Sequence, residues 1–295
     1  SCGKSSHTNP QLFLYINVTT HMRKTIVILF IIFMSCNTSL KYLNQFDGYN
    51  GKPKKIESTT YKVEYKDSVA IEKMAFKNIE FYDNKGRKIK TLMYKSDGSP
   101  STGGIYYSYD KFGNEIKSII YNRDSTINSE SLSKYDDFGN KIEGIYKSGN
   151  RKSKTINIFD RENRTEQIIG KNGDGSFKEN ALQKYDEKWN KIELISYDSI
   201  GNQKTRIEFE YDKNYNLNSY KWYNPKNELY NFSKTTFNKQ NDPIIALGYR
   251  VNDKDTILNK TTKFEYKYDK KKNVVEQKLF SNDKFVWTTK YNYEY

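Results

Sequence analysis

The feature of this sequence that most constrains its fold is an eight-residue motif that recurs with a period near 26 residues. The motif reads YDKFGNEI at residues 109–116 and YDDFGNKI at residues 135–142. Its first aromatic residue occurs eight times, at spacings of 24 to 31 residues, and Asp follows it in seven of the eight copies. The eight aromatic residues are Tyr82, Tyr109, Tyr135, Phe159, Tyr185, Tyr211, Phe237 and Tyr268. Such a period predicts a repeat protein whose units are stable only when stacked on their neighbours.

Within each unit the residue types indicate two strands and two turns. An Asp side chain accepts hydrogen bonds from backbone N–H groups two residues ahead, and Gly113 and Gly139 tolerate a positive φ. The flanking segments, such as GIYYSY and TRIEFEY, are rich in the Tyr, Ile, Thr and Phe that favour strands. Helical periodicity is absent after residue 35.

We therefore predict an all-β fold over residues 59–295, an elongated antiparallel β-meander of eight 26-residue hairpin repeats. The recurring tyrosines supply its core, together with the apolar residue found seven positions after the motif aromatic in six copies. Those six residues are Ile89, Ile116, Ile142, Ile192, Ile244 and Val275. An open meander has two unpaired edges, which exposed Lys and Asn protect from pairing with other chains.

The motif resembles the YD repeats of the RHS family, in which Y-x-Y-D-x-x-G opens each unit. The match is best in YSYDKFG at residues 107–113. This chain departs from the family in having Asn after the Gly, where the family often has Arg. It also replaces the Gly in five copies, by Asn163, Trp189, Tyr215, Asn241 and Lys272. The resemblance implies a spiralling antiparallel sheet of a kind often described as sugar-binding.

The segment MRKTIVILFIIFMSC, which starts at Met22, has the pattern of an export signal. Two basic residues precede nine consecutive apolar residues at 26–34. A signal peptide needs about 7–15 such residues, whereas a membrane-spanning helix needs about 20. Ser35 and Cys36 end the segment and resemble the lipobox of Bacteroidetes-type lipoproteins. The resemblance implies cleavage before Cys36 and lipid on that cysteine; a plain signal peptide and a buried helix are the alternatives.

These features divide the N-terminal part of the chain. Residues 1–21 precede the signal, so we expect them to lie upstream of the native start. Residues 22–35 form the predicted signal peptide, and residues 36–58 the predicted lipidated cysteine with a polar tether. The segment after Cys36 lacks the acids of a surface-export tag, which favours the periplasmic face of the outer membrane and leaves surface exposure open.

The residue types exclude several kinds of chemistry downstream of Cys36. Both His residues, His7 and His21, lie upstream of Met22, and the other cysteine is Cys2. A His base, a Cys nucleophile and a His/Cys zinc site are therefore excluded from the exported chain. The recurring Asp occupies one turn position, which a structural role explains. We predict no catalytic residue, no metal site and no cofactor.

The formal net charge of +14 favours anionic partners, although Lys and Glu are scattered along the chain rather than clustered. Aromatic residues outside the repeat are the candidate ligand contacts, because the motif tyrosines are needed for the core. They are Trp189, Trp222, Tyr215 and Trp287. Export disfavours nucleic acid as a partner.

Three hypotheses of function follow. The first is a non-catalytic envelope lipoprotein that binds or scaffolds a polysaccharide, peptidoglycan or a protein. Lipid on Cys36 would anchor it to the membrane. The second is a periplasmic immunity or accessory protein of an RHS-like toxin system. The third is a carboxylate-dependent hydrolase, which a clustered, buried pair of Asp or Glu side chains would support.

Overall fold

The computed structural model describes residues 49–252 and 255–295, and these residues form eighteen β-strands with no helix. The signal peptide, Cys36 and most of the tether lie outside the described residues. The strands are Lys55–Lys66 (β1), Val69–Tyr82 (β2), Lys88–Lys95 (β3), Gly104–Tyr109 (β4), Glu115–Tyr121 (β5), Ile127–Tyr135 (β6), Lys141–Ser148 (β7), Arg151–Asp160 (β8), Thr165–Asn172 (β9), Phe177–Tyr185 (β10), Lys191–Tyr197 (β11), Gln203–Tyr211 (β12), Leu217–Tyr223 (β13), Leu229–Phe237 (β14), Pro243–Val251 (β15), Thr256–Tyr268 (β16), Val274–Ser281 (β17) and Lys284–Glu294 (β18).

The strands close into a barrel. Each strand pairs antiparallel with the next along the chain, and β1 also pairs with β18, from Lys55 opposite Glu294 to Lys62 opposite Trp287. The predicted all-β, antiparallel hairpin architecture is confirmed. The sequence left open whether the sheet closes, and the two edges expected of an elongated array are instead paired with each other, because β18 lies beside β1. Closure pairs the backbone groups that an edge would expose.

The barrel contains nine hairpin units, where the motif alone gave eight. Tyr293 acts as the motif tyrosine of the ninth, and its hydroxyl donates a hydrogen bond to the Val274 carbonyl at 2.6 Å. The chain ends replace the ninth loop, since the Lys54 N–H donates to the Glu294 carbonyl at 2.7 Å. Strand β1 begins at Lys55, so the folded domain starts before the predicted boundary at residue 59. All strands and pairings lie within residues 55–294.

The motif forms the loops at one end of the barrel, which we call the motif rim. It comprises the connections β2–β3, β4–β5, β6–β7, β8–β9, β10–β11, β12–β13, β14–β15 and β16–β17, together with the chain ends. In the second of these loops Asp110 Oδ1 accepts hydrogen bonds from the Phe112 and Asn114 N–H groups, both at 2.8 Å. Gly113 has a φ of 92°. The prediction of Asp-braced turns is confirmed.

Motif loops without Gly keep the same conformation. Trp189, Tyr215, Asn241 and Lys272 have φ values of 60–66°, as the Gly position requires. The fourth copy differs, because its left-handed residue is Arg164 and Asn163 instead donates its N–H to Asp160 at 3.0 Å. The β8–β9 loop is one residue shorter than the others, which explains the shift.

The two faces of the sheet differ in composition. One face, which we call the tyrosine face, carries the motif tyrosines, and alternation places Ser129, Gln183, Ile207 and Ser233 on it. These four side chains are buried. The opposite face carries exposed Lys and Glu in cross-strand ion pairs, such as Glu130 between Lys117 and Lys147. We therefore assign the tyrosine face to the barrel interior.

Hydroxyl groups of the motif tyrosines connect neighbouring units. Tyr109 donates to the Lys88 carbonyl at 2.6 Å, and Tyr135 to the Glu115 carbonyl at 2.8 Å. Tyr211 donates to the Lys191 carbonyl at 2.8 Å, and burial raises the pKa of Tyr211 to about 12. The repeated tyrosine thus links each hairpin to the preceding one through a hydrogen bond from its side chain to the backbone.

The apolar residues seven positions after the motif aromatic do not join this core, contrary to the prediction. Ser108 pairs with Lys117 and Tyr109 with Glu115, which leaves Ile116 as an unpaired bulge residue. The same register shift isolates Ile142 and Ile192. All three isoleucines are exposed. A bulge adds a residue to one strand and increases the local twist, so these positions help to curve the sheet.

The interior is not filled by side chains. Only Ile56, Val63, Tyr82 and Ile207 are buried apolar residues among those described. Small barrels of about eight strands are filled by their own side chains, whereas barrels of about 16–18 strands leave an aqueous lumen. With eighteen strands, the barrel falls in the second size class.

Candidate ligand-binding interior

One recess of the interior lies on four consecutive strands, β13 to β16. Tyr220, Ser233, Gly248 and Lys260 form one cross-strand row on the tyrosine face. Trp222 and Asn231 are paired in the next row. These six residues line a recess of about 390 Å³, which we call the Trp222 recess.

Side-chain size explains why the recess forms here. Gly248 presents only backbone between Ser233 and Lys260, and a Cβ at this position would contact Lys260 atoms at 3.8 Å. Small residues therefore form the floor, while the rings of Tyr220 and Trp222 form a wall. Tyr220 remains exposed to the lumen. Aromatic rings beside small polar groups are the usual composition of ligand pockets.

Ser233 is a buried polar residue of the recess whose hydroxyl has no partner within the protein. The residue is 7% exposed, and its Oγ makes no hydrogen bond to another protein group. A buried polar group without a partner costs about 1–3 kcal/mol, so such groups in native proteins need an explanation. Because Ser233 lines the recess, a ligand hydroxyl or carbonyl in the recess would supply the missing partner.

A second interior recess lies where the barrel closes. Thr60, Phe76, Gln277, Leu279, Trp287 and Thr289 line a volume of about 270 Å³ on β1, β2, β17 and β18. Its polar side chains are partly satisfied within the protein, since the Thr60 and Thr289 hydroxyls lie 3.0 Å apart. This recess, which contains Trp287, is smaller than the Trp222 recess.

The four predicted contact residues do not form one site. Trp222 and Trp287 line separate interior recesses, whereas Trp189 and Tyr215 lie on adjacent loops of the motif rim. On the rim, the Lys188 ammonium lies 4.3 Å from the centre of the Tyr215 ring. The Trp189 ring lies 5.7 Å from that of Tyr185.

Of the six residues that define the Trp222 recess, the sequence analysis identified only Trp222. Tyr220, Ser233, Gly248 and Lys260 meet through strand register across three hairpin connections. The alternation of β13 would have placed Tyr220 on the same face as Trp222. Ser233, Gly248 and Lys260 carry no signal of their own in one sequence.

A polar cluster also lies in the interior, in the fourth repeat. Glu166 is buried, accepts a hydrogen bond from Asn157 Nδ2 at 2.5 Å and accepts another from the Tyr185 hydroxyl. Burial and this carboxylate raise the pKa of Tyr185, while burial lowers the pKa of Lys191. Glu166 is the sole acidic side chain in the buried class over residues 49–252 and 255–295. The clustered, buried carboxylate pair that would support a hydrolase is therefore not found there.

No group of three or more His, Cys, Asp and Glu side chains suited to a metal ion occurs in the described ranges. Within the same ranges we find no helix with the length and hydropathy needed to span a bilayer.

No protein-family model matches the chain, and no curated protein is similar to it in sequence. Solved structures with related backbones include a porin-like protein from Bacteroides uniformis, at 12% identity and a TM-score of 0.32. That match covers 83% of this chain and 99% of the other. Another is the TcdB2-TccC3 complex, at 11% identity and a TM-score of 0.34, covering 75% of this chain and 14% of the other. Scores this low do not carry an argument about function.

Proposed function

We propose that this chain is a non-catalytic binding module of the bacterial cell envelope, which holds a segment of a polysaccharide in the barrel interior. The observation that carries the proposal is the Trp222 recess, where a buried Ser233 hydroxyl without a partner within the protein lies beside the rings of Tyr220 and Trp222. The recess opens onto a barrel interior that its own side chains leave unfilled.

Sugar is the ligand class that fits this lining. The C–H face of a pyranose packs on rings such as those of Tyr220 and Trp222, and its hydroxyls exchange hydrogen bonds with Ser233 and Asn231. An apolar ligand would leave these polar groups unpaired. Lys260 adds a cation at one side of the recess, which favours a chain with carboxylate, phosphate or sulfate groups.

Placement in the envelope is supported by the sequence of residues 22–36, which lie outside the described residues. Two or three acyl chains on Cys36 would anchor the barrel stably, because each buried methylene contributes about 0.8 kcal/mol. We expect Cys36→Ala to move the protein from the membrane fraction to the soluble fraction of native cells. Unchanged fractionation would contradict the lipid anchor while leaving the binding proposal intact.

Titration calorimetry against a panel of neutral and acidic oligosaccharides tests the binding proposal. Burial of about 60 Å² of apolar surface between the sugar and the indole contributes about 1.5 kcal/mol, so Trp222→Ala should weaken binding about tenfold or more. Trp287→Ala is the matched control, since it removes the same ring from the other recess. Ser233→Ala should weaken binding without lowering the melting temperature. Equal affinities of the Trp222→Ala and Trp287→Ala proteins would overturn the assignment of the recess.

A further inference from the structure

The two ends of the barrel differ in charge. The eight motif-rim loops contain eleven Lys and Arg and ten Asp and Glu. The described connections at the second rim contain two Lys and Arg and eight Asp and Glu. Residues 49–54, which enter the barrel at the motif rim, add Lys52 and Lys54. The motif rim is thus close to neutral, with an excess of three bases, whereas the second rim has an excess of six acids, so an anionic surface would repel the second rim and not the motif rim.

The motif rim also presents aromatic side chains at the tips of its loops. Phe112 is 58% exposed, Phe138 is exposed, and Trp189 and Tyr215 follow on the β10–β11 and β12–β13 loops. Cations lie over three of these rings, with ring-centre distances of 4.8 Å for Lys111 over Phe112 and 3.5 Å for Arg161 over Phe138, and with Lys188 over Tyr215. Aromatic rings interleaved with Lys and Arg are typical of surfaces that rest at a membrane–water interface.

The path of the chain brings this rim to a membrane if Cys36 carries lipid. Tyr49 packs at the motif rim, with its ring 5.5 Å from that of Tyr293. Thirteen residue steps separate Tyr49 from Cys36. A chain of this length spans at most about 45 Å when fully extended, so the rim cannot move far from the anchor. The second rim lies at the other end of the strands.

We propose that the motif rim docks on a bilayer containing anionic lipid, with Phe112, Phe138, Trp189 and Tyr215 at the headgroup level. Lys and Arg of the same loops contact lipid phosphates, as polybasic segments do at anionic membranes. The second, acidic rim then faces the aqueous side and gives solutes access to the lumen. The proposal adds an orientation to the proposed function and does not depend on the ligand of the Trp222 recess.

Vesicle co-sedimentation of the unlipidated fragment 37–295 tests the proposal, because this fragment contains every strand and pairing of the barrel. Circular dichroism would first establish that each protein is folded. We expect binding to phosphatidylcholine vesicles with 30% phosphatidylglycerol, weaker binding to pure phosphatidylcholine, and loss of binding at high salt. The double variant Phe112→Ser, Phe138→Ser should bind the anionic vesicles at least tenfold more weakly.

The matched control removes two exposed apolar side chains from the second rim. In Phe177→Ser, Ile200→Ser both residues border second-rim turns, and Ile200 is 82% exposed. This variant should bind vesicles like the unmodified fragment. The proposal is overturned if the unmodified fragment does not bind anionic vesicles, or if both double variants behave alike. Glycan binding that depends on Trp222 would survive either outcome, so failure here is distinct from failure of the proposed function.

Discussion

Two motif loops of the barrel reach one geometry with different residues at the critical position. In the β4–β5 loop the left-handed residue is Gly113, at a φ of 92°, and in the β12–β13 loop it is Tyr215, at 62°. In both loops the Asp carboxylate braces the turn by accepting a backbone hydrogen bond, which we call the Asp brace. Asp110 Oδ1 accepts from the Asn114 N–H at 2.8 Å, and Asp212 Oδ1 accepts from the Asn216 N–H at 2.9 Å. The left-handed conformation costs a non-glycine residue about 1–2 kcal/mol. The Asp brace, rather than glycine, therefore defines the turn.

Strain of this kind is retained where the surrounding structure imposes it and where a side chain is useful. Trp189 and Tyr215 both occupy left-handed positions, and both are aromatic residues at the tips of adjacent rim loops. Glycine would fit the turn without strain but would present no ring. The difference between the two loops is therefore consistent with the rim contact that we propose.

The largest effect should come from placing a β-branched residue at the glycine position. Gly113→Val should lower the free energy of unfolding by about 2 kcal/mol, because the left-handed region is strongly unfavourable for branched side chains. A clash with neighbouring atoms would not add to this cost, because the nearest atom to a Cβ on Gly113 would be Arg87 Cδ at 4.0 Å. Urea denaturation measures the change. Gly248→Ala, at a position without positive φ, is the control and should change stability far less.

Removing the brace should cost about 1 kcal/mol in either loop, as a lost local hydrogen bond does. We expect Asp212→Ala to be more destabilising than Asp110→Ala, because Tyr215 needs the brace to remain left-handed and Gly113 does not. Thermal unfolding of the two variants compares them directly. Equal losses would show that the Asp contributes the same whether or not the left-handed residue is glycine, and no loss in either variant would show that the strands alone hold the turn. Glycan affinity should be unchanged in both variants, since neither Asp lies in the Trp222 recess.

A smaller effect should report the cost of the left-handed conformation at residue 189 separately from the loss of the Trp189 ring. Trp189→Ala and Trp189→Gly both remove the ring that lies 5.7 Å from Tyr185, so their difference reflects the backbone alone. The Gly variant should be more stable than the Ala variant by about 0.5–1 kcal/mol, the reverse of the order in a strand or helix. An Ala variant as stable as the Gly variant would mean that the loop relaxes out of the left-handed conformation.

Much of the local structure was predictable from the sequence, whereas closure was not. Period, turn residues and strand-forming flanks were enough to place the hairpins and the bracing Asp residues, because each depends on neighbours in the chain. Closure depends on the coiling of all eighteen strands, which no short segment of the sequence specifies. A bulge residue such as Ile116 has the same apolar character as a core residue, so its exposure could not be inferred.

The candidate site shows the same division. Trp222 and Trp287 were identified because they lie outside the repeat, and both line interior recesses. Their neighbours are set by register, which brings Tyr220 opposite Ser233 and Ser233 opposite Gly248. Rim residues Trp189 and Tyr215 were grouped with them by residue type alone. Sequence therefore identified candidate aromatics, and strand pairing decided which of them belong to one surface.

The smallest expected effect concerns pH and separates the charge of the brace from its geometry. Burial acts to raise the pKa of Asp110, but hydrogen bonds from Asn114 and Phe112 outweigh it and hold this pKa below its usual value. The folded pKa is lower than the unfolded value of about 3.9, so the carboxylate contributes stability above that pH, and this is lost as pH falls through the folded pKa.

The chain already contains a neutral version of the brace, since Asn238 Oδ1 accepts the Gln240 and Asp242 N–H groups at 2.8 and 3.0 Å. Asp110→Asn combined with Asn114→Asp reproduces the Asn238 and Asp242 arrangement and should keep the turn near neutral pH. Asp110→Asn alone should keep the two backbone hydrogen bonds and show a smaller loss of stability than the unmodified protein between pH 4 and pH 2. Urea denaturation across this range measures both slopes; identical slopes would mean that the Asp110 charge contributes nothing and that its oxygen acts only as a neutral acceptor.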